Sequence, residues 1–595
     1  MALAVCTIQH FGSVKLSVPL LVYNQLSKTR MSGVTSMPRF IFSGFLALVC
    51  LVARAHGEAP TTLEYIDSIA PPALMEGVGN SHLEISTNQE DAQLYFDQGV
   101  SLLHDFWWFE AYRAFLHASR LDPGAAMPHW GLYLAGDNMA NLTPEQRKEI
   151  LNQAAESMKS LRDKASVREQ YYLDAVIALH ENDGDEGVAA HNKILTALLS
   201  EYPDEIEARL FLWTQLEGGY DAQGKPKEEQ LYAQLLLEGE FDEHGNHPGL
   251  LHYWIHSQEP GPHPESALDA AQKLARLAPN SGHIVHMPGH IHYLMGNYAQ
   301  AHKQFSKAEE ADARYMARYG IEPVFTWNYL HNFSFMMSNL AEAGRYQEGA
   351  QYAETLATLT EESSFKHLPG FEMLLGRAML EQAYMAMRLE QFELAATLIS
   401  DPRWDDWEKT DRLLTQQQAY HAYSAGMAAV QKGELETAEH FSRKLDSVLW
   451  RSARDEVNLG YRKKPLEIAA LELQGALTAA LGDTEEGIEL LERAVAMEAD
   501  IEYGEPRSNI HPAAESLARI RAETGDFEGA REAYRSVLRQ RPNAGMPLYG
   551  IARSYALEGD GKNARTAYEA FIAAWPEADD NLAQVSMAAA WLEQH

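Results

Sequence analysis

Gly525-Asp-Phe527-Glu-Gly-Ala530-Arg-Glu-Ala-Tyr534-Arg-Ser-Val-Leu-Arg-Gln-Arg-Pro542 is followed by Gly559-Asp-Gly-Lys-Asn-Ala564-Arg-Thr-Ala-Tyr568-Glu-Ala-Phe-Ile-Ala-Ala-Trp-Pro576. The interval from Ala530 to Ala564 is 34 residues, and glycine, alanine, tyrosine and proline recur in register across it. Each copy reads as a glycine turn, a helix with an alanine where a neighbour comes close, and a proline that stops it. Two paired helices cannot bury both apolar stripes alone, so such units must stack. Self-similarity at a fixed period therefore decides the fold.

The template extends N-terminally. It fits Gly99, Phe106, Ala111, Phe115, Ala118 and Pro123, then Gly289, Gly296, Tyr298, Ala301, Phe305 and Ala308. Gly426, Gly433 and Ala438 match in part, as do Gly475, Gly482 and Ala494. This is the tetratricopeptide (TPR) pattern of small, glycine, alanine, aromatic and proline positions. Alternating apolar and polar runs are scarce, so no strands are expected. The expected fold is an all-α, TPR-like α-solenoid, a right-handed superhelix of antiparallel helix pairs. Its expected divisions are 1–55, a targeting segment; 56–88, a mostly irregular lead-in; 89–358, an N-terminal TPR-like half; 359–410, an irregular connection with helices; and 411–595, C-terminal repeats.

The targeting reading rests on a short apolar run from Met37, behind Arg39, ending in Ala53-Arg54-Ala55. Met31 or Met37 would make a more usual start. Cleavage near Ala55 implies a periplasmic or secreted protein with His56 at or near its new terminus, where amine and imidazole together could ligate copper. Both cysteines, Cys6 and Cys50, fall in the removed piece. That excludes disulfides and thiolate chemistry from the mature chain. Net charge is −35, which disfavours nucleic acid and anionic membranes as partners. No membrane span is expected in the mature chain.

Histidines are unevenly placed: 11 of the 24 lie between His244 and His331. Within that window His252-Tyr-Trp-Ile-His256-Ser-Gln-Glu259 precedes His283-Ile-Val-His286-Met-Pro-Gly-His290-Ile-His292. The HxxxH pair recurs after 34 residues, His252 to His286 and His256 to His290. With Gly296 and Gly344 as turn glycines, His283, His286, His290 and His331 take first-helix positions that line the concave groove. Spacings of three and four put each set on one helical face. Imidazoles from neighbouring helices can then meet one metal, or two nearby ones, at about 2.0–2.1 Å. A transition metal (copper, iron or zinc) is the expected cofactor, with His252, His256, His283, His286, His290 and His331 as ligands. Glu259 is the candidate general base, or a further ligand or orienting group. His302, His263 and His117 read as packed or solvated, and His292 as a core position. His104 can face the groove, and Asp137, Asn138 and Trp130 stand at another inward-facing helix start. No phosphate-binding glycine loop, nucleophile elbow or HExxH motif occurs.

The string His247-Pro-Gly-Leu-Leu-His252-Tyr-Trp-Ile-His256-Ser-Gln-Glu259, then His283-Ile-Val-His286-Met287-Pro288-Gly-His290-Ile, resembles a group of bacterial TPR-domain proteins sharing HPGxxHxxIH…E and HxxHMPxHI. Phe106-Trp-Trp-Phe-Glu110-Ala-Tyr-Arg113 with Leu121-Asp122-Pro123 is similar to their N-terminal signature. Glu505-Pro506 and Asn543-Ala-Gly-Met-Pro-Leu-Tyr549-Gly550 are similar to the C-terminal one. The resemblance implies the solenoid and the histidine site, and keeps the His331-Asn332 pair as part of it. The expected function is an exported metalloprotein, or a metal-dependent oxidative or hydrolytic enzyme, with a small-molecule substrate or peptide in its groove. The alternative is a scaffold that binds a peptide or partner protein there without catalysis.

Overall fold

The computed structural model describes residues 59–595 except 217, 221–223 and 502. The expected targeting segment, its two cysteines and His56 lie outside the described residues. Among the described residues there are 27 α-helices and no strands, only an isolated bridge between Tyr220 and Pro226. The chain is an all-α, TPR-like solenoid. No helix among the described residues is long and apolar enough to cross a membrane.

Successive helices pair, as Glu90–His104 does with Trp108–Leu121 and Gly282–Leu294 with Tyr298–Tyr319. First helices of neighbouring pairs also touch, which stacks the hairpins. The small position explains itself at Gly99 and Gly289. A Cβ on Gly99 would lie 2.5 Å from the Phe115 ring, and one on Gly289 would lie 2.4 Å from Phe305. The aromatic of the second helix thus fills the space that the first helix leaves by having no side chain.

The lead-in contains one helix, Thr62–Ser68, closed by a Thr61/Glu64 capping box. Its Tyr65 stacks on Phe325 with ring centroids 4.4 Å apart. Within 359–410, Phe365, Leu368, Phe371 and Trp404 join the main apolar core, which runs from Tyr65 to Ala476. One core therefore crosses this connection.

The C-terminal repeats fold back onto the middle of the chain. The turn at Gly296 meets Pro542, whose carbonyl accepts from the Tyr298 hydroxyl at 2.8 Å. The next turn, at Gly344, meets Trp575: the indole Nε1 donates to the Glu342 carbonyl at 2.7 Å, and Asp579 N donates to the Gly344 carbonyl at 2.9 Å. Both glycines have φ near +70°, and a side chain at either would strike the opposing repeat. Two consecutive turns are thus seated against two consecutive repeat ends. Between the two, Glu505 is brought against the His256, His290 and His331 rings.

Candidate metal centre

Three neighbouring first helices supply the histidines. Pro248–Gln258, which starts on a proline as helices readily do, carries His252 and His256. Gly282–Leu294 carries His283, His286 and His290, and Trp327–Glu342 carries His331. All six gather in one place. Ring centroids of His252 and His256 are 4.7 Å apart, His252 and His283 5.0 Å, His286 and His331 5.0 Å, and His286 and His290 4.3 Å. Ligand atoms of His252, His256 and His283 lie within 4.8 Å of one another; so do those of His283, His286 and His331, and of His290, His331 and Glu505. The cluster is buried: His252, His286 and His290 have no exposure, and His283 and His331 have 2% and 6%.

The hydrogen bonds sort the ring nitrogens. His252 Nδ1 faces the His104 carbonyl, an acceptor only, so Nδ1 carries the proton and Nε2 a lone pair. His290 Nδ1 donates to Glu259 Oε1 at 2.6 Å. His286 Nδ1 donates to Asn332 Oδ1 at 3.1 Å, and the Asn332 amide is held in that sense by its own donation to the Phe305 carbonyl. Three imidazoles are therefore each anchored through Nδ1 and aim Nε2 into the cluster. His286 Nε2, His290 Nε2, His331 Nε2 and both nitrogens of His283 are buried with no hydrogen-bond partner among the described residues. Buried polar atoms are almost always satisfied, so five such nitrogens in one place call for an explanation.

His256 differs. Its Nδ1 faces Glu259 Oε2 at 3.1 Å and Glu505 Oε1 at 3.2 Å, and its Nε2 lies 3.0 Å from the His252 Nε2 lone pair. Both nitrogens need protons there, so the ring is a cation. Burial opposes the charge, but Glu505 and Glu259 outweigh it and raise the pKa to about 10. The other rings go the opposite way. Burial, reinforced by neighbouring imidazoles, holds His252, His283, His286 and His331 well below 6.5, and His290 at about 3.

Glu259 is buried, with both oxygens spent on His256 and His290. Its geometry is that of an orienting group. The more open carboxylate is Glu505, whose side chain is 27% exposed. Sequence reasoning did not assign Glu505 to the site. Its only signal was the Glu505-Pro506 pair in the C-terminal signature, because no repeat register leads to it.

Aromatic rings wall the cluster. Phe106 lies 4.7 Å from His252 and 5.7 Å from His283, and its carbonyl accepts from Trp327 Nε1 at 2.6 Å. Phe335 stacks on His290 at 3.9 Å. His104 turns its ring away from the cluster. Its Nδ1 meets the Tyr253 hydroxyl at 3.0 Å and its Nε2 meets Glu207 at 2.6 Å, while Glu207 also holds His247 at 3.0 Å. His104 thus serves the cluster through its carbonyl. Trp130 belongs to the core with Phe96, Phe115 and Phe211, and the Asn138 side chain donates to the Leu134 carbonyl; neither joins the cluster.

Fold and cluster together define a class: an all-α repeat protein with a buried, carboxylate-supported group of imidazoles. No protein-family model and no curated protein matches the chain. Among solved structures it is similar to the crystal structure of the APC/C hetero-tetramer Cut9-Hcn1, at 12% identity over 84% of this chain and 90% of that one, with a TM-score of 0.30. The solenoid is evident in this chain's own helix pairing.

Proposed function

We propose that the protein is a metalloprotein whose histidine cluster holds one or two transition-metal ions, and that it is a metal-dependent enzyme. The observation that supports this reading is the set of anchored imidazoles with free Nε2 atoms. Nδ1 of His252, His286 and His290 is tied to a carbonyl, an amide and a carboxylate, the arrangement that orients metal-ligating histidines. Two nitrogens bound to one metal at 2.0–2.1 Å stand roughly 2.9–3.4 Å apart for angles from a right angle to tetrahedral. His252 Nε2 and His256 Nε2, at 3.0 Å, already have that separation. In the metal-free chain a proton of His256 occupies the gap, and a metal ion would replace it.

His252, His256 and His283 would form one set of ligands, and His286, His290, His331 and Glu505 a second. Imidazole and carboxylate donors without thiolate suit copper, iron and zinc. A bound metal supplies a Lewis acid, or with copper or iron a redox centre. The chain's own part is to keep five rings neutral by burial, to hold His256 and His290 through Glu259, and to present Glu505 as the more exposed carboxylate. Five of the six rings are buried and His256 is only 12% exposed, so little open imidazole lining is left for a peptide, which disfavours the scaffold reading. Export to the periplasm or medium fits this proposal and rests on the N-terminal sequence alone.

Elemental analysis of purified protein tests the reading. About one or two equivalents of metal are expected, sharply reduced in His256→Ala and His290→Ala and unchanged in His302→Ala, whose ring pairs with Glu348 instead. Losing one ligand of a site worth on the order of 10 kcal/mol should cost several kcal/mol of affinity. Equal metal content in all four proteins would refute it.

A further inference from the structure

A cavity of about 670 Å³ lies beside the histidine cluster and meets it at Glu505. The Trp327–Glu342 and Phe371–Arg388 helices, the start of Lys463–Ala480 and the 500–510 segment enclose it. In a chain of net charge −35 its lining is unusual, with seven lysines and arginines against five aspartates and glutamates.

The carboxylates are largely spoken for. Glu342 takes Arg388 and Arg541, and Glu381 takes Arg377 and the Ser334 hydroxyl. Two guanidinium groups are left over. Arg462 donates to the Ser508 carbonyl at 3.3 Å and lies over the rings of Tyr384 and Tyr461, with no ion pair among the described residues. Arg507 lines the cavity and has no hydrogen bond or ion pair among the described residues. Donors are also left over: Arg388 Nη2 and Arg377 Nε are buried without partners. Arg388 is only 3% exposed, so water does not readily solvate that nitrogen. Buried guanidinium donors without partners among the described residues favour an anionic ligand. Planar guanidinium forks donate in pairs to carboxylate or phosphate oxygens.

We propose that this cavity binds a small oxyanion, a carboxylate or a phosphate, held by Arg462 and Arg507 together with the free donors of Arg377 and Arg388. Such a ligand lies next to Glu505. That it is the substrate of the histidine centre rests on the metal reading, whereas the binding itself does not. The neighbouring cavity of about 940 Å³ shares Tyr503, Arg507 and Arg541 and reaches His256 and Glu259, so one loop separates the anion from the cluster.

The test is calorimetric titration of the metal-free full chain with succinate, inorganic phosphate and the neutral diamide of succinate. Saturable binding of succinate or phosphate is expected, and the stronger of the two names the oxyanion class. The diamide should not bind. Arg507→Met and Arg462→Met should each weaken binding tenfold or more, Arg507→Lys should recover part of it, and Arg443→Met, at an exposed position, should not change it. The arginine variants should keep wild-type metal content, and His290→Ala should keep anion binding, so failure of either idea leaves the other readable. Absence of binding by both anions, or unchanged affinity in Arg507→Met and Arg462→Met with circular dichroism intact, would overturn the proposal.

Discussion

Consider His283, which stands between the two sets of rings with both nitrogens unpartnered and its pKa held well below 6.5 by burial and its imidazole neighbours. In the unfolded chain it takes a proton near pH 6.5; in the metal-free folded chain it refuses one. A depressed histidine therefore costs stability as pH falls below 6.5, by up to about 1.4 kcal/mol per pH unit. His283→Gln should thus gain stability relative to wild type as pH drops from 7 to 5, by up to roughly 2 kcal/mol. Denaturant melts of metal-free protein at the two pH values measure this, and a difference independent of pH would contradict it. The comparison with wild type matters because Asp312, buried and pushed up to about 8, and Glu498, at about 7, pull the total curve the other way. At this scale the sequence was most informative. Recurrence of HxxxH after 34 residues put His252, His256, His286 and His290 on one face, and turn register added His283 and His331. Glu505 escaped because it sits in a loop with no period, brought in only by the way distant repeats close.

Among the elements, Gly282–Leu294 bears the heaviest constraint. It carries three of the six histidines, an interior Pro288 that removes a hydrogen bond, and Gly289, which lets Phe305 press against its backbone. Gly289→Ala places a Cβ 2.4 Å from that ring, so the two helices must part. Overpacking of this kind costs about 1–3 kcal/mol. His290 is the next residue, so the same change should also weaken metal retention. Gly320→Ala is the comparison: Gly320 has open space around it, and its left-handed φ of +67° makes that cost local. If Gly289→Ala melts with wild type, the close approach of helix and ring is not tight. The pairing of these helices was legible because small and aromatic residues recur at fixed offsets. The orienting contacts were not: nothing local to Glu259 says which rings it will hold, and nothing near Asn332 points to His286.

For the molecule as a whole, the seam is the feature that repeat logic does not supply. Stacking explains neighbours in sequence, whereas Pro542 at Gly296 and Trp575 at Gly344 join turns and repeat ends remote from one another along the chain. Trp575 is buried and its indole donates across the seam to Glu342. Trp575→Ala should lower unfolding free energy by about 3–5 kcal/mol. It should also speed extraction of bound metal by a chelator, since the closing segment loses its seat. A variant with lowered melting temperature but an unchanged extraction rate would show that the seam does not guard the cluster.

The seam also orders events in time. Every histidine of the cluster precedes Glu505 in the chain, and the repeats that cover them are synthesised after them. While those repeats are missing, the imidazole face is open to water and to any ion dissolved in it. Once Pro542 and Trp575 have docked, the proposed metal would exchange only through what the closing segment leaves open at His256 and Glu505. On the proposed metal reading, loading during synthesis or folding would be a different process from exchange afterwards, and the metal held would be a record of where these repeats closed.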